Sequence, residues 1–231
     1  MTGRPLRCGR TRIKVCCIAS RAEAELAINQ GADAIGLVSA MPSGPGVIPD
    51  DRIQEIAAMI PPGVSTFLLT SSCEVEEIVS QQRRLGVDTL QLCDELPPEA
   101  IRDLRSRLPG ISIVQVVHVV GEASLKQARA AAAAAHGLLL DSGNPSLAIK
   151  ELGGTGRTHD WSLSRQIRDT VGVPVFLAGG LTPDNVADAV RQVRPFGVDV
   201  CSGLRTDGAL DPDKLFRFIR QLENVDHPPA R

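Results

Sequence analysis

Residues 174–203 read PVFLAGGLTPDNVADAVRQVRPFGVDVCSG. Pro174–Ala178 is a short apolar run without polar alternation, the pattern of a parallel strand covered on both faces. Gly179-Gly180 interrupts it. Thr182-Pro183 then sets a capping hydroxyl ahead of a proline, which suits the first turn of a helix over Pro183–Val193. A second apolar run, Gly197–Ser202, follows and leads into another small-residue turn at Ser202-Gly203. Strand, glycine turn, helix and strand in that order make one parallel crossover unit.

The same unit repeats backward through the chain. Further strands are predicted at Arg12–Ile18, Asp33–Ser39, Ser65–Thr70, Asp88–Cys93, Ser112–Val119 and Gly137–Asp141, giving eight in all. Helices are predicted at Arg21–Gln30 behind a Ser20 cap, and at Asp50–Ile60, Glu74–Leu85, Pro98–Leu108, Ala123–Ala135 and Ser162–Val171. Asp211-Pro212 repeats the start signal ahead of Asp213–Leu222. Eight strand–helix units in sequence order predict an α/β chain closed as a single-domain (β/α)8 TIM barrel over residues 12–222. Residues 1–11 are expected to form a flexible leader and residues 223–231 a flexible tail.

Composition narrows the function. Aromatic residues make up 3% and Tyr is absent, which leaves no stacking platform for bases. A net charge of −2 gives no basic footprint, so no nucleic-acid partner is expected. No apolar run is as long as a membrane span, and Met1–Arg12 lacks the apolar stretch of a signal peptide, so no membrane partner is expected either. The cysteines Cys8, Cys16, Cys17, Cys73, Cys93 and Cys201 lack a paired zinc spacing and mostly sit in apolar, strand-like segments. Reduced thiols of a cytoplasmic protein, with no metal, are the expectation.

In such a barrel the working residues lie at the C-terminal ends of the strands and in the loops that follow. The first strand carries Lys14-Val15-Cys16-Cys17-Ile18. Strand alternation puts Lys14 and Cys16 on one face and turns Cys17 the other way, against the helices. A thiol works as a base through its thiolate, and Lys14 would supply a positive neighbour. The residues alone leave open that Cys16 is a small buried hydrophobe. The sixth strand ends Leu138-Leu139-Leu140-Asp141. Burial raises a carboxyl pKa and suits it to donate a proton; a turn built with Ser142-Gly143-Asn144-Pro145 is the other reading. Gly153-Gly154-Thr155-Gly156 lies in a long connection, 142–160, of the kind that often covers a site. Gly179-Gly180 and Ser202-Gly203 follow the last two strands, where backbone N–H groups of such barrels usually hold a phosphate.

Seven segments together resemble the phosphoribosylanthranilate isomerase family: Lys14-Val15-Cys16, Gly31–Val38, Leu90-Gln91-Leu92, Leu138–Asp141, Gly153–Trp161, Ala178–Val186 and Val193–Gly203. The resemblance implies a tryptophan-biosynthesis isomerase that interconverts an aldose and a ketose by an Amadori rearrangement, without a cofactor. It implies Cys16 as base and Asp141 as acid. It gathers Lys14, Gln91, Gly154, Gly156, Gly179, Gly180, Asp199, Ser202, Gly203 and Arg205 around a small phosphorylated sugar, in a monomer or homodimer. The histidine-pathway isomerase barrel, with Asp at the ends of strands one and five, fits less well because Cys16 stands at the first position.

Several residues depart from the family pattern. Cys17 replaces the Gly that usually follows the catalytic Cys, and Cys93 the His that usually follows Gln-Leu. His118 is atypical, and Arg205 stands where an acidic residue often does. The loop Met41-Pro42-Ser43-Gly44-Pro45-Gly46-Val47-Ile48 lacks the Arg that usually holds the anthranilate carboxylate. Either Arg205 or Arg157 is expected to compensate, or the substrate carries another amine. A barrel that binds a phosphate ester without turnover is the remaining alternative.

Overall fold

Alternation along each strand sorts the side chains into two layers. Ile13 and Val15 pack outward with Ala24 and Ala27 of the following helix, whereas Cys16 joins Ala34, Phe67, Val116, Leu139 and Phe176 inside the barrel. Leu138 and Leu140 likewise face out and Leu139 in. The barrel interior is therefore a packed core, and only the ends of the strands are open to chemistry.

The computed structural model describes residues 9–144, 146–154 and 156–226. Its strands are β1 (Arg12–Val15), β2 (Ala34–Val38), β3 (Ser65–Thr70), β4 (Thr89–Leu92), β5 (Ser112–His118), β6 (Gly137–Asp141), β7 (Val175–Leu177) and β8 (Gly197–Val200). The helices are α1 (Arg21–Asn29), α2 (Asp50–Ala57), α3 (Val75–Leu85), α4 (Pro98–Arg107), α5 (Ala123–Ala132), α6 (Trp161–Thr170), α7 (Val186–Val193) and α8 (Pro212–Asp226). The eight strands close into one parallel barrel, as expected of a (β/α)8 chain. Closure runs through β1 and β8, with Lys14 opposite Asp199 and Val15 opposite Val200.

The first and last units are tied at every level of this seam. Thr11 donates to Asp226 through its N–H at 2.7 Å and its hydroxyl at 3.0 Å. Lys14 Nζ donates to Asp199 Oδ1 at 2.8 Å. Arg205 NH1 lies 2.9 Å from Glu23 Oε1, which also accepts the Leu210 N–H at 2.9 Å.

Four expectations need adjustment. Strand β1 ends at Val15, not Ile18, because Cys17 turns left-handed at φ +60°. Helix α7 begins at Val186, not Pro183: the Thr182 hydroxyl does accept the Asp184 N–H, but it caps a turn ahead of the helix. The tail expected from residue 223 is helical through Asp226, and residues 227–231 lie outside the described residues. Of the expected leader, residues 1–8 lie outside the described residues, while Arg10 and Thr11 are held by Asp33 and Asp226.

Candidate active site

Lys14, Cys16 and Asp199 meet where β1 closes against β8. Lys14 is fully buried, with its ammonium on the Asp199 carboxylate and 5.2 Å from the Phe67 ring centroid. Burial alone would depress its pKa, but the charges of Asp199 and Cys16 outweigh that and hold Lys14 above its ordinary value. Gly36 of β2 leaves the room this requires. A Cβ there would stand 2.7 Å from Cys16 Sγ and 2.9 Å from Lys14 Nζ. Cys16 thus has a cation beside it at the floor of a cavity that opens at the C-terminal end of the barrel.

Asp141 enters the same cavity from β6. Burial pushes its carboxyl pKa up, opposed by the Ser142 N–H, which donates to Oδ1 at 2.7 Å. A raised pKa keeps a carboxylic acid in the form that can give a proton. Beside it on β5 is His118, in register with Asp141 and buried. His118 Nε2 lies 3.2 Å from the Cys93 carbonyl oxygen, so that nitrogen carries the proton.

Counted out to open solvent, the cavity holds about 680 Å³ of empty space. One wall is apolar, from Val38, Met41, Leu69 and Leu152. Gln91 points in from β4 with its Oε1 buried and unpartnered among the described residues, an acceptor waiting for a donor. Gly156, Gly179 and Gly180 line the opposite side, all with left-handed backbone, next to Ser202. Among the described residues the N–H groups of Gly179 and Gly180 donate to no backbone carbonyl. Backbone donors with no side chain in the way are what an anion cradle requires.

The connection between β6 and α6 folds over the mouth. Ser43 donates to the Lys150 carbonyl at 2.6 Å, and Lys150 pairs with Asp94. A Cβ on Gly153 would stand 2.8 Å from Asp141 Oδ2, and one on Gly154 would stand 2.5 Å from Pro45. Gly153 thus packs closely over the Asp141 carboxyl and Gly154 over the loop after β2. Thr155, between them, lies outside the described residues.

Of the residues singled out in the sequence, Cys16, Gln91, Asp141, Gly154, Gly156, Gly179, Gly180, Asp199 and Ser202 line this one cavity. Lys14 lies beneath it. Gly203 packs behind it, where a Cβ would fall 2.0 Å from the Leu181 carbonyl oxygen. Arg205 faces away: its guanidinium is taken by Glu23, the Gly208 carbonyl and the Cys17 carbonyl. Arg157 pairs with Glu151. No Lys or Arg among the described residues lines the cavity, so neither expected substitute for the missing Arg is in place. Cys17 corrects the alternation argument. Beyond the end of the ladder its side chain turns into the mouth rather than against the helices.

Sequence reasoning missed Leu69 and Leu152 as cavity walls, and it missed His159. The His159 Nε2 sits 2.7 Å from Ser164 Oγ, and burial lowers the ring pKa to about 4. Leu69 follows the inward parity of Phe67 and could have been found that way. His159 gives no periodic signal in a loop. Among the described residues no group of three or more His, Cys, Asp or Glu side chains is gathered as a metal would require.

Comparison with known proteins shows the family. The model of the family described as N-(5'phosphoribosyl)anthranilate (PRA) isomerase matches residues 13–221. The chain belongs to the phosphoribosylanthranilate isomerase family. A family member from Haloferax volcanii is 39% identical over 211 residues, covering 90% of this chain and 91% of that one. A solved phosphoribosyl anthranilate isomerase superposes with a TM-score of 0.78 at 30% identity, over 93% of this chain and 99% of that one. That structure is a complex with reduced 1-(o-carboxyphenylamino)-1-deoxyribulose 5-phosphate. Monomers generated from the dimeric Thermotoga maritima isomerase match with a TM-score of 0.78 at 29% identity, again over 93% and 99%. Like its family, the chain is an aldose–ketose isomerase of tryptophan biosynthesis, and no helix among its described residues is long and apolar enough to cross a membrane.

Proposed function

We propose that Cys16 and Asp141 carry out the Amadori rearrangement of phosphoribosylanthranilate in this cavity. Asp141 donates its proton to the furanose ring oxygen, and the ring opens to a Schiff base. Cys16, as thiolate, takes the proton from C2 of the sugar, and the resulting enolamine tautomerises to the amino-ketose. Both steps are proton transfers, so the reaction needs no cofactor. Gly179, Gly180 and Ser202 hold the phosphate, Gln91 accepts from a sugar hydroxyl, and the aryl ring lies against Met41, Leu69 and Leu152. Lys14 acts through Cys16 as the cation at its sulfur.

The observation that carries this reading is that a thiol with a buried ammonium beside it and a carboxyl with a raised pKa line one cavity. Replacing Cys16→Ala or Asp141→Asn should each lower kcat/KM by about 10²–10⁴-fold in steady-state assays, with KM changed far less. Full turnover in either variant, or none by the folded parent, would refute the assignment.

The absence of a lining cation favours a second reading of the amine. The same reaction would then proceed on an aryl amine lacking the carboxylate. Assays of phosphoribosyl-aniline against phosphoribosylanthranilate decide it: a preference for the anthranilate compound excludes this alternative. A cytoplasmic protein, monomeric or homodimeric, is the setting we propose. Membership of a tryptophan-biosynthesis family supports the first part and the dimeric Thermotoga maritima relative the second.

A further inference from the structure

Cys17 and Cys201 bring two thiols together at the rim of the cavity, 2.6 Å apart between their Sγ atoms. Neither sulfur has a place in the proton transfers above. Each reaches the other through a local irregularity at the end of its strand. Cys17 is left-handed at φ +60°, and Cys201 leaves β8 at φ −128°, ψ −85°. Because β1 and β8 are hydrogen-bonded neighbours, the two turns face each other across the closing seam.

The two thiols differ in access and in charge. Cys17 is buried beneath the loop after β2, where a Cβ on Gly46 would stand 2.4 Å from Cys17 Cβ. Cys201 is partly exposed at the cavity mouth. Its pKa lies below the ordinary thiol value because of its hydrogen bond with Cys17 and the nearby Arg205 guanidinium; burial opposes this only partly. The Cys17 pKa is raised by hydrogen bonding to Cys16 and Cys201 and by burial. A partly exposed, thiolate-prone sulfur against a sheltered thiol is the arrangement of an attacking cysteine and a resolving one.

We infer that Cys17 and Cys201 form a redox-active dithiol that closes to a reversible disulfide across the barrel mouth, with hydroperoxides as its oxidants. The Cys201 thiolate attacks the terminal oxygen of the hydroperoxide, the O–O bond breaks, and the alcohol leaves with a proton from solvent. The Cys17 sulfur then attacks the Cys201 sulfenic acid, forming the S–S bond and expelling hydroxide, which takes the Cys17 proton and leaves as water. Two thiols are oxidised, and one hydroperoxide is reduced to alcohol and water. This chemistry does not rest on the isomerase reading, since its readout is thiols and not turnover.

The test treats the reduced full-length protein with hydrogen peroxide, alkylates the remaining thiols and maps the peptides by mass spectrometry. The expected result is the loss of two alkylatable thiols, in peptides linked through Cys17 and Cys201, at doses that leave the exposed Cys73 alkylatable. Dithiothreitol should restore both. Cys201→Ser should abolish the link and leave Cys17 alkylatable. Cys17→Ser, which keeps the inference testable should the other variant not fold, should stop at a Cys201 sulfenic acid that dimedone traps. Linkage through Cys16 or Cys73, persistence of the two-thiol loss in Cys201→Ser, or oxidation of Cys73 ahead of the pair would overturn it.

Discussion

Gly36 and Lys14 show how closely the proposed base, Cys16, is fitted. Adding a methyl at Gly36 places carbon 2.7 Å from Cys16 Sγ and 3.2 Å from Cys16 Cα, so the sulfur must move. Gly36→Ala is expected to cost about 1–3 kcal/mol of stability as an overpacked site. It should lower kcat more than it raises KM, as read by urea unfolding and steady-state kinetics. Lys14 has no such room to relax. Lys14→Met would strand the buried Asp199 carboxylate without its cation, a loss of about 3–5 kcal/mol. Adding Asp199→Leu removes the stranded charge, and the double variant should recover most of that loss in the same measurement.

Helix and strand boundaries follow local physics closely where one residue pattern decides them. Asp211 was read as a start signal, and its Oδ1 does accept the N–H groups of Asp213 and Lys214 at 3.0 Å each, opening α8. Asp211→Ala should therefore cost about 1 kcal/mol, visible as a lower thermal midpoint with unchanged turnover. The number and order of strands were legible because each is apolar on both faces, a pattern that needs no knowledge of its neighbours. Strand alternation made it legible that Lys14 and Cys16 share a face. Cys17 was not, because alternation holds only while the ladder lasts and β1 stops at Val15. The partnership of Lys14 with Asp199 was only partly readable, since 185 residues separate them and no local pattern encodes that distance. The glycines that line the cavity could be read from the sequence. The apolar wall could not, because Met41 and Leu152 reach it from loops whose paths no periodicity fixes.

For the molecule as a whole, titration of the buried groups sets opposing demands on pH. His159 has its pKa lowered from 6.5 to about 4 by burial, so the unfolded chain binds a proton there that the native ring refuses. Its stabilising contribution is complete above the unfolded value and is lost as pH falls from about 6.5 toward about 4. His159→Phe should flatten that part of a urea-stability curve. Asp141 works in the other sense: its raised pKa favours folding at low pH, and the benefit is lost as pH rises through the folded value. The seam between the first and last units bears on how the protein is made. Translation delivers β1 early and β8 late, and until β8 docks, the Lys14 ammonium has no carboxylate to enter the core with. A growing chain on the ribosome thus carries the proposed base, Cys16, half-built at its outset. That thiol gains its final surroundings only in the last stretch of synthesis, so products truncated before β8 should be inert rather than weakly active.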